Sequence, residues 1–308
     1  MNGKAAQQKR LVIWHISDQR RGHDNQGLGL IQALKKLRDC EDYKLQAIPA
    51  ARLILPLISG NFAKAYNLPQ PRLIIAAGRR THLSMLCAGR STGAKTAVIM
   101  NPDLPYSWFD LCLIPAHDNP PARNNIITTE GPLNRINPSF EHDEGRGLIL
   151  IGGKSRHFIW DQAGLLSQVD RLTDAPGIQW LISDSPRTPA STSDALRNLQ
   201  KDNVCYLSHQ DTGGDWLPAR LAESGEVWIS EDSMSMIYEA LTSGARIGLF
   251  DLPVRQGGRL ARVKKGLASR NFITTFEQWS QGKSLTPPPE ILNESDRCAR
   301  LLLERLAL

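Results

Sequence analysis

At 308 residues, with 41% hydrophobic and 22% charged side chains, the chain has an ordinary globular composition and length enough for two cores of about 150 residues. No run approaches the roughly 18 apolar residues of a membrane span, and the polar start MNGKAAQQKR lacks a signal-peptide core, so a cytoplasmic location is expected. Five scattered cysteines without C-x-x-C spacing argue against zinc and disulfides, and 6% aromatics with no nucleic-acid motif argue against a nucleic-acid partner despite a net charge of +6.

In chain order, short apolar runs alternate with helical patterns, the signature of βα units around parallel sheets. The runs LVIWHI, YKLQAI, RLIIAAG, TAVIM and FDLCLIP fill the first half; GLILIGG, IQWLIS, NVCYL, EVWIS and RIGLF fill the second. A polar stretch, NPSFEHDEGRG at 137–147, reads as a linker, and TPPPE at 286–290 breaks the chain before a last amphipathic helix. The expected architecture is α/β, with two tandem Rossmann-like domains at 1–140 and 147–288, a cleft between them, and the helix of 289–308 packing back on the first domain.

Open α/β sheets bind ligands beyond the carboxyl ends of their strands. The loop after the first strand, SDQRRGHDNQ, carries Asp18, Arg20, Arg21, His23 and Gln26. It is not a P-loop, because Gly22 and Gly27 are followed by Leu28 and Gly29 rather than Lys and Ser/Thr. Nor is it a dinucleotide loop, since the third glycine of G-x-G-x-x-G is Gln32. His23 at a helix start reads either as a general base or as a structural histidine. Further on, GRRTHL places Arg79 and Arg80 behind Gly78, suited to an anion or to a solvated turn, and AHDNPP pairs His117 with Asp118.

In the second half, IGGKSRH sets Gly152, Gly153, Lys154 and Ser155 at a strand end, where glycine amides and cationic or hydroxyl donors suit a diphosphate. SDSPRTP adds Ser183, Ser185, Arg187 and Thr188. In VWISEDSMSMIYEALTSG, a helix opens at Ser233 and Ser235, with Glu239 one turn along. Serines and helix amides on phosphates, with the carboxylate on ribose, would divide the work of holding a nucleotide; a simple N-cap is the other reading of Ser233. Asp232 repels phosphate and is expected to stay off it, with capping of the helix as its other reading. RLILPLISGNF at 52–62 reads as an interaction surface or a buried element. The run RQGGRLARVKKGLASR at 255–270 holds six basic residues and no acid, suited to anionic lipid or a protein partner, or simply a solvated helix face.

The helix around DSMSMIYEA resembles the donor-site helix of GT-B glycosyltransferases, and IGGKS resembles their glycine loop. Along nearly the whole chain, from SDQRRGHDNQ through AAGRR, PAHD, IGGKSRH and SPRTP to DSMSMIYEA, the sequence is similar to the mitochondrial-fission ELM proteins of plants and their bacterial relatives. Gln19 stands where that pattern has glycine. The resemblance implies a transferase moving sugar from a nucleoside-diphosphate sugar to a cell-envelope glycan or lipid acceptor, without metal or tightly bound cofactor. His23 or the nearby Asp18 would be the base. Gly152, Gly153, Lys154, Ser155, Arg187, Ser233, Ser235 and Glu239 would hold the donor, while Arg79, Arg80, His117 and Asp118 would meet the acceptor or an anion. The alternatives are a non-catalytic adaptor, as in the recruiting role of the plant proteins, with peripheral attachment to anionic membrane, and a nucleotide-sugar epimerase or hydrolase.

Overall fold

The computed structural model describes residues 10–49, 67–255 and 259–308. The stretch 52–62 therefore lies outside the described residues, as do 256–258 of the basic run. Two units divide the chain: Met1–Arg135 with Glu294–Leu308, and Ile136–Asn293.

In the first unit the elements are β1 (Leu11–Ser17), α1 (Arg21–Leu37), β2 (Cys40–Gln46), β3 (Leu73–Ala77), α2 (His82–Thr92), β4 (Lys95–Ile99), β5 (Leu111–Pro115) and β6 (Ile126–Thr129). All pairings are parallel, in the order β2-β1-β3-β4-β5-β6. A parallel sheet covered on both faces needs strands apolar on both sides. Strand β1 meets this by sending Leu11 and Ile13 toward Leu30, Ile31 and Leu34 of α1, and Trp14 and Ile16 toward Met85 and Ala88 of α2.

The second unit repeats the plan with β7 (Asp143–Leu150), α3 (Gln162–Thr173), β8 (Gln179–Ser183), α4 (Ala190–Arg197), β9 (Val204–Leu207), α5 (Trp216–Glu223), β10 (Ser224–Ser230), α6 (Met234–Ser243), β11 (Arg246–Phe250), α7 (Arg259–Ser269), β12 (Thr274–Thr275) and α8 (Phe276–Ser280). Its strands are also parallel, in the order β12-β11-β10-β7-β8-β9.

The last helix, α9 (Glu294–Leu306), returns to the first unit. Cys298, Ala299 and Leu302 enter the core beneath α1, where a buried leucine contributes about 1.5–3 kcal/mol. Arg305 donates to the Asn124 and Ile126 carbonyls, and Lys36 pairs with Asp296 at 2.9 Å. The two parallel α/β sheets and the returning helix are the expected GT-B-type architecture.

The stretch 137–147 is not wholly a connection. Ile136 already packs in the second core, and Asp143–Arg146 form the outer half of β7. That half is polar because it runs past the covered part of the sheet, meeting β10 through a register shift between Ser224 and Glu226. Among the described residues, no helix is long and apolar enough to cross a membrane.

Both sheets change direction once. In the first, β1 leads outward to β2 and the chain re-enters on its other side at β3; in the second, β7 leads to β8 and β9 before the chain re-enters at β10. The crevice beyond the carboxyl ends at such a reversal is where open α/β sheets hold ligands.

Candidate functional sites at the two strand reversals

In the first unit, β1 ends in a tight turn. The Gln19 N–H donates to Ser17 Oγ (2.9 Å) and the Arg20 N–H to Asp18 Oδ1 (3.2 Å), with Gln19 left-handed at φ 65°. This turn aims the Asp18 carboxylate, 2% exposed, at His23 Nδ1 on the first turn of α1, 3.0 and 3.1 Å away. The imidazole lies against Gly78 at the end of β3, where a Cβ would stand 2.3 Å from Nδ1. Gly78 also has φ 88°, so both the close approach and the backbone call for glycine. A carboxylate on Nδ1 fixes that nitrogen as the N–H and leaves Nε2 to take a proton, the arrangement of an oriented general base.

Asp18 of this pair borders a cavity of about 530 Å³ lined also by Ser17, Gln19, Gln46, Ala47, Ile48, Pro49, Arg79, Arg80 and Leu83; His23 touches it only through Asp18. Arg79 pairs with Asp103 at 3.3 Å. Thus Asp18, His23, Arg79 and Arg80 gather around the β1/β3 reversal. His117 and Asp118 do not join them: they sit in a short turn after β5, two strands away, with 3.8 Å between Nε2 and Oδ1, and neither lines the cavity.

In the second unit the loops after β7, β8 and β10 are laced together. The Gly152 N–H donates to Ser230 Oγ (2.7 Å) and the Gly153 N–H to Asp232 Oδ2 (2.9 Å). Ser230 Oγ in turn donates to Asp232 Oδ1 (2.7 Å), and Arg187 Nη2 reaches Asp232 at 2.9 Å. Ser185 and Thr188 hydroxyls both donate to the Gly152 carbonyl. A Cβ on Gly153 would lie 2.0 Å from the Arg187 carbonyl, so only glycine lets the two loops touch.

This geometry corrects the sequence expectation for the glycine loop. The Gly152 and Gly153 amides are not free for phosphate, because Ser230 and the wholly buried Asp232 carboxylate take them. Asp232 accordingly faces this loop rather than capping α6. Burial pushes its carboxyl up from the usual range, against the opposing pull of the Gly153 amide, Ser230 and Arg187.

Donors do remain around it. Lys154 is exposed and has no carboxylate partner among the described residues. Arg187 is 43% exposed, Ser155 is half-buried, and Ser235 is open to solvent. Ser233 is the N-cap of α6 but makes no capping bond through its side chain, which leaves amides of the first turn for an anion. Glu239, one turn along, is buried and engaged within the fold.

Two clusters escaped the sequence reading. After β8, Asp184 accepts from the His209 N–H (2.7 Å), His209 Nδ1 (2.8 Å), Tyr206 Oη (2.7 Å) and Ser193 Oγ (2.5 Å). Burial alone would raise this carboxyl, but the four hydrogen bonds hold it below its usual value. After β10, Glu231 is buried against Lys264 (2.7 Å), which also meets Asp251 (2.7 Å). Burial raises Glu231, only partly offset by Lys264 and the Leu252 N–H. Lys264 belongs to the basic run read as a surface patch; here it turns inward, while Arg262 and Lys265 of α7 stay exposed.

Against known families, the model for mitochondrial fission ELM1 matches residues 21–306. The chain belongs to that family. Among curated relatives, Uncharacterized protein RP120 of Rickettsia prowazekii is 26% identical over 303 residues, covering 78% of this chain and 83% of that protein. Solved structures share the fold at low identity. A UDP-GlcNAc 2-epimerase from Neisseria meningitidis bound to UDP-GlcNAc is 11% identical with a TM-score of 0.55, covering 96% of this chain and 100% of its own. A protein assigned as a UDP-N-acetylglucosamine 2-epimerase from Listeria monocytogenes is 11% identical with a TM-score of 0.57, covering 97% and 88%.

Proposed function

We propose that the chain is a GT-B glycosyltransferase that takes a nucleoside-diphosphate sugar as donor and a cell-envelope glycan or lipid-linked molecule as acceptor. The observation that carries this reading is the Asp18–His23 pair at a strand reversal, an oriented base whose carboxylate partner borders a cavity. In this reading His23 Nε2 takes the proton of the acceptor hydroxyl as that oxygen attacks the sugar. The second unit holds the donor, with Lys154, Arg187, Ser235 and the amides opening α6 stabilising the departing diphosphate. Charge stabilisation by helix amides and cationic side chains asks for no metal. Arg79 and Arg80 would receive the acceptor's anionic part.

A second reading, epimerisation or hydrolysis of the nucleotide sugar, is favoured by the UDP-GlcNAc seen in the Neisseria meningitidis structure, which shares this fold. Calorimetry with UDP, GDP, ADP and CDP and their sugars tests the donor site. Binding of one nucleotide series supports it; no binding by any at millimolar concentration leaves the adaptor role, with peripheral attachment to anionic membrane, as the better account. Incubating the bound sugar nucleotide without acceptor then separates transfer from epimerisation, which alone would yield an isomer.

A further inference from the structure

Helix α2 turns Leu83, Leu86 and Arg90 outward on one face, at the spacing of successive turns. Beside them runs a groove of about 560 Å³, closed on the other side by Trp108, Asp110 and Lys95 and lined mainly by apolar atoms. Trp108 is 55% and Leu83 40% exposed, large apolar surfaces that no described residue covers. The groove follows α2 from Leu83 to Gly93, a length of about 15 Å at the helical rise.

Leu83 lines both this groove and the 530 Å³ cavity that Asp18 borders, so the two spaces lie on either side of one side chain. Their chemistry differs. The cavity lining carries Arg80 and Arg79, the latter paired with Asp103 at 3.3 Å, beside Ala47, Ile48 and Pro49; its one lining carboxylate, Asp18, is occupied by His23. At the far end of the groove, Lys95 and Asp110 neutralise each other at 2.9 Å. An arginine-bearing cavity next to a mainly apolar groove, with Leu83 common to both, fits an amphiphile.

We infer that the first unit binds a single-tailed amphiphile with an anionic head, a phosphate or carboxylate. The head sits beside Arg79 and Arg80, and the tail lies along Leu83, Leu86 and Trp108. As a statement of acceptor class this rests on the transferase reading; as a binding site it does not.

The test is calorimetry on the full chain with dodecyl phosphate below its micellar concentration, beside inorganic phosphate, uncharged dodecyl maltoside and, separately, UDP. Dodecyl phosphate should bind on the order of tenfold tighter than either single-feature probe. Trp108→Ala and Leu86→Gln should each weaken it by about tenfold, with a cooperative melt confirming the fold and UDP binding unchanged. Arg80→Ala should weaken dodecyl phosphate but not dodecyl maltoside. Equal affinity for dodecyl phosphate and inorganic phosphate, or indifference to both groove substitutions, would overturn the proposal. So would binding to phosphatidylglycerol vesicles without binding of the monomeric probe, which would mean attachment to a surface rather than occupation of a groove. Loss of UDP binding with the amphiphile retained would count against the donor site alone.

Discussion

The two strand reversals solve the same topological problem in opposite ways. In the first unit a buried carboxylate, Asp18, spends its hydrogen bonds on one imidazole and the turn beneath it, and the space beside the pair stays open. In the second unit a buried carboxylate, Asp232, draws in a glycine amide, a serine hydroxyl and an arginine, and closes the gap between three loops. A buried acid can thus build a reactive group or seal a scaffold, and which it does depends on what its donors are attached to. A histidine ring hands reactivity outward; backbone amides hand over only shape. In the proposed reading, anion binding by the second unit rests on Lys154, the outer face of Arg187 and the start of α6, because the Gly152 and Gly153 amides are taken.

The largest effect expected from this contrast is catalytic. With a donor and acceptor in hand, His23→Gln should lower turnover by about 10²–10⁴, the usual contribution of a general base. Asp18→Asn keeps the shape but presents an amide to Nδ1, so it should also lower turnover while leaving donor binding intact. Full turnover in steady-state assays of His23→Gln would remove the distinction between the two sites.

Next in size are effects on stability, which belong to the sealed site. Asp232→Ala orphans the Gly153 amide and the Ser230 hydroxyl in the interior and should cost about 1–3 kcal/mol in urea unfolding. Arg187→Ala removes a partly exposed partner and should cost less stability, yet weaken nucleoside-diphosphate binding by about 1.5–3 kcal/mol if its guanidinium meets the phosphates. If Asp232→Ala unfolds at the wild-type urea concentration, the lacing described here is not holding the loops.

Acid should separate the units further. His15 on β1 is 1% exposed and burial lowers its pKa from 6.5, so the folded chain keeps it neutral while the unfolded chain takes up a proton. Its effect is therefore absent above that value, and stability is lost as pH falls from about 6.5 toward the depressed folded value. His15→Val should flatten the fall in urea midpoint between neutral and mildly acidic pH, whatever it does to the midpoint itself. An unchanged slope would place the acid sensitivity elsewhere.

Much of this was legible in the sequence, and the reason differs by feature. The alternation of apolar runs and helices gave both sheets, because strands buried on two faces must be apolar throughout. Strand β2 was displaced and the outer half of β7 missed because CEDYKLQ and DEGR carry exposed polar residues; β6, IITT, is mostly buried but only four residues long, too short to stand out. The clustering of Asp18 with His23 followed from a spacing within one loop. The lacing of Gly153 to Asp232, 79 residues apart, and of Asp184 to His209, 25 apart, depends on which strand ends lie side by side, and no local pattern records that. Lys264 was misjudged for a related reason: its neighbours in sequence are basic, but its neighbours in space are Glu231 and Asp251.

The smallest effect concerns the turn that makes the open site. Gln19 stands where the resemblance leads to the expectation of glycine, and its φ of 65° is a conformation that suits glycine. Holding a side chain in that region costs about 1–2 kcal/mol, because Cβ crowds the following carbonyl. Glycine removes the crowding but loses about 0.5–1 kcal/mol more chain entropy on folding. Gln19→Gly should therefore stabilise the first unit by a net of up to about 1.5 kcal/mol, raising its melting temperature by up to a few °C. The bonds that shape the turn, from the Gln19 amide to Ser17 Oγ and from the Arg20 amide to Asp18, use no atom of the Gln19 side chain, so the Asp18–His23 geometry should survive the change. A melting temperature that falls in scanning calorimetry would show that the Gln19 side chain contributes more to the cavity wall than its backbone costs the turn.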